Sequence, residues 1–310
     1  MSSGRLSPAK SVLRLLVAGS TAAVAACSPA DVTIVLGYEG MGRYVAAAQA
    51  SPEPDLAALF QEHVVEPIWE ACAAGAELES YVPPMVSQPI EDLDGLDRAI
   101  DALTESDTRA LVEEAVERAA RALPSPATTV CVFAVDPLWT WIRDDMNGVS
   151  GVTPGAGRVW IQIYPEGDWQ VEIGPAIAHE YHHSVRMALM KEPIAEVNVV
   201  DGMVLEGMAD SFVRVLYPDR ALDPWTDALT PEQETAAWGV MQPYLETTGI
   251  DTVDSFLFGR RDDVPPWAGY TIGFHIVQAF LQRNPEASIA SWTPLDSREI
   301  LTRSGYSGER

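Results

Sequence analysis

The stretch His179-Glu180-Tyr181-His182-His183 constrains this chain more than any other. On a helix, residues i and i+4 share a face. His179 and His183 can therefore aim two imidazole nitrogens at one tetrahedral Zn²⁺, with Glu180 beside them as a base for a water. Glu206-Gly207-Met208-Ala209-Asp210 follows further along. From a second helix, Glu206 supplies a third metal ligand. Asp210, one turn on, can accept a hydrogen bond from a ligand histidine. Three protein ligands leave one position open, which is the mark of a catalytic site rather than a structural one.

The chain has five histidines, His63, His179, His182, His183 and His275. With so few, H-E-x-x-H arises by chance in roughly one chain of this kind in a few hundred. The surroundings of both segments are helical. Ile177, Ala178, Tyr181, Val185, Ala188 and Leu189 suit a buried helix. Asp201 reads as an N-cap for a second helix striped by Val204, Leu205, Met208, Phe212, Val213 and Leu216. Carboxylates and imidazoles on such faces need partners, and a metal ion supplies one economically. His182 points away from the i, i+4 pair and reads as a core group. His63 reads as structural.

A chain of 310 residues, 47% hydrophobic with nine Trp, is long enough for one large domain or two small ones. Its net charge of −25 argues against a nucleic-acid partner, because no basic patch exists to neutralise phosphates. The acidity reads first as solubility and second as a preference for cationic substrates. Arg5, Lys10 and Arg14 precede the apolar run Leu15 to Ala26, which ends in Val24-Ala25-Ala26-Cys27. This order reads as a lipoprotein signal peptide over residues 1–27, with Cys27 as the lipidated residue. A membrane-attached lipoprotein on the extracytoplasmic face is the resulting expectation. A plain N-terminal extension on a cytoplasmic protein is the alternative. No other stretch is long and apolar enough to span a bilayer. Cys72 and Cys131 do not form C-x-x-C. They are expected to be buried free thiols, although export would allow them to pair.

Strands are expected at 31–36, 130–135 and 159–164, and helices at 55–73, 91–103, 107–123, 176–190, 202–216, 232–247 and 271–283. Pro175 would open the metal helix at an allowed first-turn position. The segment 144–157, rich in Gly, Asn and Pro, reads as a loop. Strands followed by helices give an α+β domain over residues 31–310.

The string Ala178-His179-Glu180-Tyr181-His182-His183-Ser184-Val185-Arg186 resembles the core of the bacterial YjaZ-like family of predicted Zn-dependent proteases. Further matching segments are Tyr38-Glu39-Gly40-Met41, residues 59–67, Gly151-Val152-Thr153-Pro154-Gly155, residues 206–210 and residues 269–277. The resemblance spans residues 31 to 283. It implies a zincin-like fold, mostly helical with a small mixed sheet beside the metal helix, a glutamate third ligand and a peptide or protein substrate. In such a fold, the strand 159–164 would lie at the cleft edge and pair with an extended substrate. The C-terminal segment brings Tyr270 and His275 forward as candidates to stabilise the oxyanion. Two other readings stay open: a zinc hydrolase of non-peptide amides, and a non-catalytic zinc-binding chaperone-like or binding lipoprotein. The intact Glu180 weighs against the second, because a structural site needs no base.

Overall fold

A four-stranded mixed sheet anchors the molecule, and its strand order sets where the metal helix lies. The computed structural model describes residues 32–75, 88–125, 127–190 and 193–308. The signal-like run and Cys27 lie outside these described residues. β1 (Val32–Leu36) runs straight into α1 (Gly37–Gln49). Asp55 then accepts a hydrogen bond from the Ala58 N–H at 3.1 Å and starts α2 (Leu56–Phe60). A π turn over Gln61–Val65 joins α2 to α3 (Glu66–Cys72). α4 (Leu93–Glu105) and α5 (Thr108–Ala122) lead to β2 (Thr128–Ala134), α6 (Thr140–Asp145), β3 (Val149–Gly155) and β4 (Arg158–Ile163).

The strand order is β1-β2-β4-β3. β1, β2 and β4 are parallel, and β3 is antiparallel to β4. The architecture is α+β, mostly helical, with the sheet beside the metal helix. That helix, α7 (Trp169–Leu189), packs on β3 and β4. α8 (Val199–Leu216) lies against α7. After them come α9 (Pro231–Met241), α10 (Ile250–Leu257), α11 (Ala268–Arg283), α12 (Ile289–Trp292) and α13 (Ser297–Ser304). Among the described residues, no helix is long and apolar enough to cross a membrane.

α11 packs against α8 at a distance only glycine allows. A β-carbon on Gly207 would lie 2.1 Å from the Gly273 carbonyl oxygen, and one on Gly273 would lie 1.9 Å from that of Met203. The two backbones touch, and this brings the start of α11 over the middle of α8.

Several elements depart from expectation for identifiable reasons. α7 begins at Trp169, so Pro175 sits inside the helix rather than opening it. The ring deprives the Val171 carbonyl of its helical donor, but Val171 is 66% exposed and water can serve. α8 starts at Val199, and its cap is Asn198, not Asp201. Asn198 Oδ1 accepts from the Asp201 N–H at 2.9 Å, and Asp201 Oδ2 accepts from the Asn198 N–H at 3.4 Å, a reciprocal capping box. The helix expected over 232–247 ends at Met241 and tightens into a 3₁₀ turn over Gln242–Tyr244, where Pro243 removes a donor. The 144–157 segment holds the end of α6 and all of β3, so the loop reading fails there. The 159–164 strand is interior, hydrogen-bonded on both sides; the edge strand beside α7 is β3.

Cys72 and Cys131 are joined as a disulfide, which corrects the free-thiol expectation. It pins the end of α3 to the middle of β2, with Cα atoms 6.1 Å apart. Trp160 Nε1 donates to the Cys72 carbonyl at 3.0 Å on the same side. Closing a loop with a sequence separation of 59 removes about 4 kcal/mol of unfolded-chain entropy. Chemical denaturation with and without reductant should therefore differ by roughly 2–5 kcal/mol, and Cys131→Ser should be insensitive to the reductant. Identical curves for the oxidised and reduced protein would show that the bridge does not form.

Candidate metal centre

α7 presents His179 and His183 one turn apart, and α8 brings Glu206 up against them. His179 Nε2 and His183 Nε2 are 2.9 Å apart, and each lies 3.2 Å from Glu206 Oε2. Tetrahedral zinc with bonds of about 2.0–2.1 Å holds its ligand atoms roughly 3.3 Å from one another, so the triangle has the size a zinc ion requires. The chemistry of the donor set agrees. The Nδ1–H of His179 donates to Asp210 Oδ1 at 3.0 Å, which leaves Nε2 as a lone pair facing the other two ligand atoms. Among the described residues, neither Glu206 nor Asp210 pairs with Lys or Arg. A divalent cation satisfies all of these groups at once. His179, His183 and Glu206 would hold it.

The electrostatics have the same cause. Burial pushes the Glu206 carboxyl up, but His183 and His179 outweigh it and hold the group well below the usual carboxylate range. Burial disfavours a proton on His179, but Asp210 and Glu206 more than offset this and raise it well above an ordinary histidine. The Asp210 carboxyl is raised by burial, against the pull of His179. A bound cation would replace the protons in this balance. Trp225 Nε1 also donates to Asp210 Oδ1, at 3.3 Å, extending the chain that orients His179.

Glu180 is only 8% exposed and lies against β3. Thr153 Oγ1 is 2.8 Å from Glu180 Oε2 and 2.7 Å from the Glu180 carbonyl oxygen. A β-carbon on Gly151 would sit 2.4 Å from Glu180 Cγ, so this strand position must be bare for the carboxylate to fit. Reading the residues did not single out Thr153 or Gly151 individually. The segment that carries them, 151–155, is one of those that resemble the family.

Two adjoining chambers border the centre. One, of about 410 Å³, has Trp141, Trp225, Trp267, Phe258 and Tyr270 in its walls. The other, of about 260 Å³, is lined by Val152, Met187, Leu205, Val253 and Leu257 among others. Gly151, His179, Glu180, Phe258 and Tyr270 border both. Tyr270 therefore sits at the centre. Burial raises its hydroxyl well above the ordinary range, and the charges of Glu206, Asp210 and Glu180 add to the rise. A cation there would draw it back down.

His275 is not part of this site. Its Nδ1 faces Glu234 Oε1 at 2.9 Å, and Tyr306 donates to the same oxygen. Five residues separate it from Tyr270, which is about 140° around a helix. When Tyr270 faces the metal ligands, His275 must face α9. His182 is fully buried, stacked on Trp292 with ring centroids 5.3 Å apart, as expected of a core group.

The site defines the class: an α+β protein with an H-E-x-x-H helix, a glutamate on the next long helix, and a cleft on both sides of them. The chain belongs to the predicted Zn-dependent protease family (DUF2268), whose model matches residues 108–302. Two Bacillus subtilis (strain 168) proteins are similar to it. The uncharacterized protein YjfC is 27% identical over 232 residues, 70% of this chain and 76% of its own. The uncharacterized protein YjaZ is 28% identical over 178 residues, 57% of this chain and 67% of its own. No solved structure matches the chain. β1, α1 and the disulfide partner Cys72 precede the family match, whereas all the residues of the metal centre lie inside it.

Elemental analysis of the purified protein should find about one zinc per chain, and His179→Ala, His183→Ala or Glu206→Ala should abolish it. Asp210→Asn should bind zinc about 10–100-fold more weakly in a chelator competition, because the chain orienting His179 is broken. Full zinc occupancy in Glu206→Ala would show that the third ligand is another group.

Proposed function

We propose that this chain is a zinc-dependent peptidase of gluzincin type with a zincin-like fold. The observation that carries the reading is the placement of Glu180. Its buried carboxylate is held by Thr153 next to the His179–His183–Glu206 triangle, at the point where both chambers meet. A structural metal site has no use for such a base. When bound, zinc supplies a Lewis acid that acidifies a water molecule and polarises a carbonyl.

The chain's own groups supply the rest. Glu180 takes the proton of the attacking water and passes it to the leaving amine. The hydroxyl of Tyr270, bordering both chambers, donates to the oxygen on which negative charge develops. Asp210 keeps the His179 ring in place. Among the described residues, β3 pairs with β4 on one side only, and its Ser150 and Gly151 border the cleft. An extended peptide would add to this edge by main-chain hydrogen bonds, a role first expected of the strand now seen to be interior.

Glu180→Gln should keep its zinc and its fold while peptide hydrolysis falls about 10²-fold or more, since the amide keeps the shape but cannot accept the proton. Tyr270→Phe should behave similarly, with zinc retained and turnover reduced by roughly 10²-fold. Hydrolysis at the wild-type rate in Glu180→Gln would reject this mechanism.

The Cys72–Cys131 disulfide supports an oxidising compartment, because such bridges form and persist outside the cytosol. It fits the reading of residues 1–27 as a lipoprotein signal and of Cys27 as the lipidated N-terminus of a membrane-attached, extracytoplasmic enzyme. Cys27→Ser should release the protein from the membrane fraction or block its maturation. Mass spectrometry that finds an unmodified chain starting at Met1 in the cytosolic fraction would reject the lipoprotein reading and leave the active site untouched.

A further inference from the structure

The larger chamber holds two arginines in opposite states. Arg220 is spoken for: its guanidinium bridges Glu172 and Asp223, with the three groups mostly buried. Arg260 is exposed, and among the described residues its guanidinium makes no hydrogen bond or ion pair. Its Cζ lies over the ring of Phe258, 4.7 Å from the centroid, and Phe258 lines both chambers together with Glu180 and His179. A cation–π contact of this kind leaves the N–H donors of the guanidinium unused. In a chain of net charge −25, Arg260 feels Asp254 through space but makes no direct ion pair among the described residues, so its N–H donors are available to a ligand.

The wall beside it is built at a cost. Trp225, Trp267, Tyr270 and Phe258 contact one another with ring centroids 5.5–6.3 Å apart. Trp267 adopts φ 64°, ψ 15°, a left-handed conformation that a bulky residue adopts at a cost of about 1–3 kcal/mol. Nothing about starting α11 requires a tryptophan there; glycine would fit the backbone better. The side chain is kept where it faces the chamber.

Building on the peptidase reading, we infer that the larger chamber is a substrate subsite for a bulky apolar or aromatic residue, and that Arg260 at its mouth determines specificity by pairing with a carboxylate next to that side chain. The guanidinium fork suits a carboxylate in two-point contact. The carboxylate belongs either to the C-terminus of the peptide or to an adjacent Asp or Glu.

The test uses zinc-loaded full-length protein and matched peptides with a Phe beside the scissile bond. One peptide ends in a free carboxylate, a second in an amide, and a third in an amide with a Glu next to the Phe. The wild type should show kcat/KM at least about tenfold higher for one of the carboxylate-bearing peptides than for the neutral amide. Arg260→Gln should collapse that ratio towards one, and Arg260→Lys should keep part of it. Preference for the free terminus assigns a carboxypeptidase-like habit; preference for the Glu assigns acidic-residue selectivity. A ratio near one in the wild type, or an unchanged ratio in Arg260→Gln, overturns the inference. Calorimetric titration with N-acetyl-phenylalanine and its amide reads the same contact without turnover. Tighter binding of the acid that is lost in Arg260→Gln supports the subsite; equal binding of the two rejects it. If no peptide is cleaved, the peptidase reading fails on its own, and the titration still decides the role of Arg260.

Discussion

Three lone-pair atoms held about 3 Å apart in a poorly hydrated cleft would repel one another, and the rest of the structure is arranged to keep them there. His179 Nε2, His183 Nε2 and Glu206 Oε2 converge because two long helices, α7 and α8, lie side by side. The backbone contact of Gly207 with Gly273 lets α11 close over α8 next to Glu206. The Asn198–Asp201 capping box fixes where α8 starts, and so which of its residues faces α7. Asp210, four residues beyond Glu206 on the same face, reaches the far nitrogen of His179. Without a cation the assembly depends on shared protons; with one, each group has its natural partner.

The opposite face of α7 does different work. His182 and Arg186 are also four residues apart, but they point to the C-terminal helices. His182 stacks on Trp292, and Arg186 Nη1 donates to the Thr293 carbonyl at 2.7 Å. Burial lowers the Arg186 guanidinium, and the charges of Asp201 and Asp296 work against that effect. A charged group this deep is costly unless it is fully engaged. It ties α7 to the residues after α11 that end the described domain. One helix is thus anchored on its back by α12 and offers ligands on its front. The ligand side chains inherit the rigidity of that anchorage.

How much of this was legible in the chain follows from the range of each interaction. The pairing of His179 with His183 is legible as local i, i+4 helix geometry, whereas Glu206 meets them only because α7 and α8 pack side by side. The same spacing places Asp210 on one face with Glu206, and the packing of the two helices brings it to His179. β3 was not legible, since Gly151, Pro154 and Gly155 erase both alternation and β-propensity, and only pairing with β4 makes it a strand. The residue that looks worst for a strand, Gly151, is bare because Glu180 fills the space above it. Resemblance of a segment carries no helical phase, and His275 faces α9 rather than the metal ligands. The Cys72–Cys131 bridge joins a helix to the sheet across elements whose packing no spacing rule encodes. Arg260 and Trp267 escaped for a similar reason: a free cation and a left-handed tryptophan become visible only once their neighbours are known.

These last residues suggest how the fold divides its labour. On the peptidase reading, the ligand cluster and the base belong to α7 and α8, two long helices packed against each other. The walls of the larger chamber come from the shorter α6, the turn after α8 and the junction between α10 and α11, where Trp141, Trp225, Phe258, Arg260 and Trp267 lie. Segments of this kind tolerate change in sequence because few core contacts depend on them. A site built this way can keep its ligands and its base fixed while its walls change, so the reacting group and the preferred substrate are set by different parts of the chain. The point of contact between the two is Tyr270. It stands on α11, close to the strained Trp267, and also borders Glu206 and Glu180. The first turn of α11 therefore carries both a wall residue of the larger chamber and the hydroxyl that borders the ligand cluster.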